Sequence, residues 1–134
     1  MVSKVFLMKK RIQNPDTRGV QHIIRATGYS LKGVKGAWAH EEAFRQEIWA
    51  SALLIPLALF LGQGGFEKAV LCASLFLVLI VELVNSAIEA AIDRIGKENH
   101  PLSGRAKDLG SAAVMVSLIN VVIVWSLILW DRFL

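Results

Sequence analysis

The stretch AVLCASLFLVLIVELVNSAIEAAID, Ala69 to Asp93, decides how this chain folds. Only 13 uncharged residues separate Lys68 from Glu82, too few to cross a hydrocarbon core of about 30 Å at about 1.5 Å per residue. The apolar pattern resumes beyond Glu82 at Leu83, Val84, Ala87, Ile88, Ala90, Ala91 and Ile92. It therefore predicts one spanning helix over about 69–93 that carries its carboxylates with it. On that helix Glu82, Asn85, Ser86, Glu89 and Asp93 share an arc of roughly 100°, a single polar stripe. Counted from Ala69 as the outer end, Glu82 lies about 20 Å in and Glu89 about 30 Å, with Asp93 past the boundary.

Two further spans flank this one. Ser111 to Trp130 runs 20 residues without a charge, and Ile48 to Phe66 runs 19. In the latter, Pro56 predicts a kink and Gly62-Gln63-Gly64-Gly65 an end. The chain reads as an all-α membrane protein with spans near 48–66, 69–93 and 109–130, forming one domain over 18–134 behind a tail at 1–17. The opening MVSKVFLMKK has too short an apolar run to read as a cleavable signal and is expected to be part of that tail.

Composition agrees. Of 134 residues, 54% are hydrophobic and 19% charged, against roughly 25% charged in soluble domains. Nine of the 15 basic residues precede the first apolar run: Lys4, Lys9, Lys10, Arg11, Arg18, Arg25, Lys32, Lys35 and Arg45. This placement of the +4 net charge argues for membrane topology and against nucleic-acid binding. With Arg94, Lys97, Arg105 and Lys107 in the second basic region, the N-terminus and the 94–108 loop are expected in the cytoplasm and the C-terminus outside. Trp125 and Trp130 fit an outer aromatic belt, and Lys9, Lys10 and Arg11 suit anionic lipid.

Ahead of the first span, Val20, Ile23, Ile24, Thr27, Leu31, Val34 and Trp38 recur every three or four residues, with Arg18, Gln21, Arg25, Lys32 and Lys35 between them. The pattern predicts a basic amphipathic helix on the cytoplasmic leaflet. Gly28, Gly33 and Gly36 each cost it up to about 1 kcal/mol, which leaves its continuity open. The lone Cys72 reads as a small hydrophobe. His22, His40 and His100 lack zinc-like spacing.

Carboxylates inside a span are expensive, which points to chemistry, although a proton path or polar glue between subunits also suits such a stripe. Oxygen ligands without clustered His or Cys suit Mg²⁺, which commonly brings substrate phosphates. Glu41 and Glu42 stand at the level of Glu89 and can add a carboxylate from a second helix. Arg105, Lys107 and the backbone N–H groups near Ser103 and Gly104 suit phosphate. No Walker or protein-kinase signature is present, since Val34-Lys35 follows Gly33 where Lys-Ser/Thr is required.

The stretch ELVNSAIEAAIDRIG (Glu82–Gly96) with LSGRAKDLGSAAV (Leu102–Val114) resembles the prokaryotic diacylglycerol kinase family. The resemblance extends upstream through GYSLKG (Gly28–Gly33), Trp38, Glu41 and AFRQE (Ala43–Glu47). It implies a homotrimeric membrane kinase that passes the γ-phosphate of MgATP to a lipid hydroxyl at the cytoplasmic interface. Carried over by position, Glu82 resembles the general base, and Glu41 and Glu89 the ligands of the ATP-bound metal. Lys107 and Asp108 resemble a nucleotide-contacting pair, with His22, Tyr29, Glu98, Asn99 and His100 also toward the nucleotide. Ser30, Trp38, Glu47, Asn85, Asp93 and Ser111 are implied as lipid or site support. His22 stands where relatives commonly carry an arginine, for which Arg25 or Arg18 can substitute, and Leu31 stands at an aromatic position.

The resulting expectation is phosphorylation of diacylglycerol to phosphatidic acid in a bacterial cytoplasmic membrane. Undecaprenol is the alternative acceptor. A non-catalytic oligomer conducting protons or ions is the alternative of another class.

Overall fold

The computed structural model describes residues 19–96 and 98–133, with side chains as far as Trp130. The tail at 1–17, its lysines, Arg18 and Lys97 lie outside the described residues. Among the described residues four helices follow in order: α1 (Val20–His40), α2 (Glu42–Leu61), α3 (Gly64–Ile95) and α4 (Pro101–Phe133). Among the described residues there is no strand.

The chain divides at Lys35 into two units. In the first, the opening part of α1 is helical through Gly28 and Gly33. Two of its hydroxyls bond back to the preceding turn: Thr27 Oγ1 donates to the Ile23 carbonyl at 2.9 Å and Ser30 Oγ to that of Ala26 at 3.1 Å. Val20, Ile23, Ile24 and Leu31 are all exposed.

The second unit contains the three long helices, each long and apolar enough to cross a membrane. α3 packs against both α2 and α4, whereas α2 and α4 do not pack on each other among the described residues. The buried face of α3 is Leu71, Ser74, Leu75, Val78, Glu82 and Asn85, one stripe at helical spacing. α2 meets it with Phe44, Ser51 and Ala58, and α4 buries Gly110 and Ser117. Steps of seven on both flanking helices keep each seam on one face. The small residues let the helices approach, as interhelical packing in lipid requires. Trp125 Nε1 donates to Ser74 Oγ at 3.3 Å, and Ser74 Oγ donates to the Leu71 carbonyl at 2.7 Å, so α3 and α4 are also tied through polar groups.

The first helix of this unit ends at the glycine cluster, as the sequence predicts, and short of Phe66. α2 stops at Leu61, and Phe66, expected at its end, belongs to the first turn of α3. Gly62 takes an extended conformation while its N–H still donates to the Ala58 carbonyl at 2.9 Å, and Gly64 adopts φ +72°, which favours glycine. Glu67 Oε2 then accepts the Gln63 N–H at 2.7 Å, satisfying a donor at the helix start. Pro56 is accommodated inside α2. Helical structure also reaches past the expected spans, from Glu42 in α2 and from Pro101 in α4, because polar first turns outside the apolar run still close their backbone hydrogen bonds.

Candidate active site

The polar stripe of α3 passes from interior to surface along its length. Glu82 is 4% exposed and Asn85 8%. Ser86 and Glu89 are half-buried, and Asp93 is exposed. This is the order expected of five residues on one face of a helix whose middle is packed and whose Ile95 end is open. Asn85 Nδ2 donates to Glu89 Oε1 at 3.1 Å, one turn apart on the same face.

Carboxylates from the start of α2 join this stripe. Glu41 is the residue between α1 and α2, with extended backbone (φ −108°, ψ 113°). Its N–H donates to the Ala37 carbonyl at 2.8 Å and its carbonyl accepts the Arg45 N–H at 3.3 Å, so the helical path breaks for one residue only. Glu82 experiences the charges of both Glu41 and Glu89, and Glu47 that of Glu82. Glu41, Glu47 and Glu89 thus each lie within electrostatic reach of Glu82. None of the four has a cation paired to it, since the one ion pair among the described residues is Lys107 Nζ to Asp93 Oδ1 at 2.6 Å.

Among the described residues, three buried polar atoms have no hydrogen-bond partner: Glu47 Oε2, Asn85 Oδ1 and Ser86 Oγ. Buried polar groups are ordinarily satisfied, so this cluster has capacity to spare for a ligand. Asn85 also lies against Gly110 of α4, so closely that a Cβ at that glycine would overlap its side-chain amide.

At the open end, α3 and α4 enclose a cleft of about 420 Å³ lined by Asp93, Glu98, Asn99, His100, Ser103 and Lys107, with Ile92, Gly96, Pro101 and Gly104 completing it. His100 starts α4: its Nδ1 accepts the Leu102 N–H at 3.2 Å and its carbonyl the Gly104 N–H at 3.0 Å. The Gly104 N–H, expected to be free for phosphate, is therefore already used within the helix start.

Most of the residues singled out in the sequence come together in two adjoining places: Glu41, Glu47, Glu82, Asn85 and Glu89 in the interior, and Asp93, Glu98, Asn99, His100 and Lys107 around the cleft. Asp108 and Ser111 are exposed on α4 and do not line the cleft. Trp38 packs on Trp49 with ring centroids 6.2 Å apart, and its carbonyl accepts Arg45 Nη1 at 2.9 Å. His22, Tyr29 and Ser30 belong to the first unit, on α1, and all three are exposed. Gly110 escaped sequence reading, because a glycine within a helix signals a packing role only once its neighbour across the interface is known.

The donor set consists of carboxylate oxygens, the chemistry of a hard cation. Among the described residues no three His, Cys, Asp or Glu side chains form a closed ligand group. Mg²⁺ needs none, because it binds through one or two carboxylates plus substrate phosphates and keeps several waters. Glu41 and Glu89, in no ion pair among the described residues, fit that open arrangement.

Residues 28–129 match the family model of prokaryotic diacylglycerol kinase. The chain is 51% identical over 118 residues to a diacylglycerol kinase of Escherichia coli K12, covering 88% of this chain and 97% of the relative. It is 50% identical over 114 residues to one of Haemophilus influenzae, covering 85% and 97%. With one of Helicobacter pylori the identity is 42% over 120 residues, 90% of each chain.

Proposed function

Since the chain belongs to the prokaryotic diacylglycerol kinase family, we propose that its buried carboxylates transfer the γ-phosphate of ATP to the hydroxyl of diacylglycerol, yielding phosphatidic acid and ADP. It is an enzyme, a lipid kinase, and a multi-pass membrane protein. The observation that carries the mechanism is Glu82: 4% exposed in the middle of α3 and without a paired cation, yet within electrostatic reach of Glu41, Glu47 and Glu89.

In this reading Glu82 takes the proton from the lipid hydroxyl as its oxygen attacks the γ-phosphorus and ADP departs. The deeper carboxylate suits a lipid hydroxyl held near the interface, and the shallower Glu89 suits phosphate arriving from water. Glu89, with Glu41, would hold Mg²⁺ with the phosphates. Held there, such a cation would supply charge stabilisation to the phosphoryl oxygens during transfer. Asp93 orients Lys107 toward the nucleotide, with Asp108 beside it, and Glu98, Asn99 and His100 receive the nucleotide in the cleft. His22 and Tyr29 are further nucleotide contacts. Ser30, Trp38, Glu47, Asn85 and Ser111 support the lipid and the site. Burial of Glu82 keeps water from the hydroxyl's place, which favours transfer over hydrolysis.

The basic N-terminal helix lies on the cytoplasmic leaflet, with the 94–108 loop on the same side and the C-terminus outside. Among the described residues of α4 only Gly110 and Ser117 are buried within one chain, so its remaining faces are open to lipid or to neighbouring copies, as a homotrimer requires.

The test is transfer of label from γ-phosphate-labelled ATP to short-chain diacylglycerol in mixed micelles with Mg²⁺, comparing the native chain with Glu82→Gln. Labelled phosphatidic acid from the native chain alone supports both the reaction and the base. Robust labelling of undecaprenol with negligible labelling of diacylglycerol would replace the acceptor. Proton flux in liposomes without any phosphotransfer would replace the function.

A further inference from the structure

The contact between Asn85 and Gly110 joins the interior carboxylates to α4, and it has a direction. Glu89 is an acceptor, so the Asn85 amide must present its nitrogen to that carboxylate, as the 3.1 Å hydrogen bond records. The amide oxygen is buried without a partner. Asn85 is 8% exposed, and a Cβ placed on Gly110 would overlap Asn85 Oδ1 and approach its Cγ to 3.2 Å. The seat of the amide is thus the space that Gly110 leaves by having no side chain.

We infer that Gly110 is a positioning residue: it admits the Asn85 amide against α4, and Asn85 thereby holds the Glu89 carboxylate in place for the nucleotide-bound cation. The inference rests on the reading of Glu89 as a ligand of that cation. Partners that orient a metal-binding carboxylate govern affinity for the metal even though they never touch it. The obstruction created by Gly110→Ala involves the end of one side chain and no backbone of α3 below 3.4 Å. Rotation of the Asn85 amide relieves it, at the cost of the bond to Glu89. The helices stay packed and the carboxylate loses its restraint.

Three variants test this: Gly110→Ala, Asn85→Ala and the pair together. Each is measured for KM and kcat with MgATP, for Mn²⁺ binding by electron paramagnetic resonance without lipid, and for thermal unfolding in micelles. Gly110→Ala is expected to weaken Mn²⁺ binding and raise KM by about 10- to 100-fold. Because the glycine acts through Asn85, the double variant should be no worse than Asn85→Ala alone. Losses that multiply in the double variant, or Gly110→Ala with native Mn²⁺ affinity and KM, overturn the inference. If Gly110→Ala does not fold, Asn85→Ser decides: it removes the amide without crowding α4, and native Mn²⁺ affinity in it overturns the inference equally. A native chain that transfers no phosphate to any lipid indicts the kinase reading instead, which keeps the two failures apart.

Discussion

Lys107 Nζ stands 2.6 Å from Asp93 Oδ1, joining α4 to the last turn of α3 beside the cleft. Among the described residues this is the one ion pair made with the stripe, and Glu82 and Glu89 have none. The two side chains are 41% and 64% exposed, and ion pairs so open to water are screened and add little to stability. The value of this pair lies in where it aims the ammonium. Asp93→Asn should leave the unfolding midpoint in micelles nearly unchanged while raising KM for ATP several-fold. Calorimetry and steady-state kinetics on one preparation check both.

Glu82 and Glu89 should separate when each is changed to glutamine. Glu82→Gln loses the proton acceptor, so turnover should fall by roughly 10²- to 10⁴-fold with nucleotide affinity retained. Glu89→Gln should weaken nucleotide affinity and turnover together. Binding of a non-hydrolysable ATP analogue with Mg²⁺, measured beside phosphotransfer, distinguishes them. Equal loss of affinity in both variants would contradict the division of roles.

Gly62 should not tolerate a side chain, whereas Gly65 should. A Cβ at Gly62 would stand 2.7 Å from Lys68 Cγ, 2.9 Å from the Ala58 carbonyl and 3.0 Å from the Lys68 nitrogen, two of which are backbone atoms. Gly62→Ala is expected to cost about 1–3 kcal/mol. Nothing lies within 4 Å of a Cβ at Gly65, in the first turn of α3, so Gly65→Ala should be neutral or stabilise by up to about 1 kcal/mol. Unfolding titrations of both in micelles give the comparison.

The proposed topology predicts opposite labelling of the two turns. In a Cys72→Ser background, Glu98→Cys in inverted membrane vesicles should react with an impermeant maleimide, and Gln63→Cys should react only in right-side-out vesicles. Reaction of both from one side would refute the arrangement of spans.

Three helices long and apolar enough to span a membrane and the acidic stripe on one of them were legible in the sequence, because hydrophobic length and 3.6-residue periodicity are local properties of a helix. Glu82, Asn85, Ser86, Glu89 and Asp93 had to share a face whatever surrounded them. Less legible was the turn at Gly62 and Gln63. Its glycines permitted several end points, and the one adopted depends on Glu67 reaching back to Gln63.

What the sequence alone determined is therefore an all-helical membrane chain with carboxylates along one face of a single helix. Which groups meet across helices was decided by tertiary structure. α3 became the helix that touches both others, Glu41 and Glu47 came within reach of Glu82, Lys107 paired with Asp93, and Gly110 made room for Asn85. Each of these depends on the rotation and separation of two packed helices, set by the small residues along their seams, and no periodicity within a single helix encodes that distance.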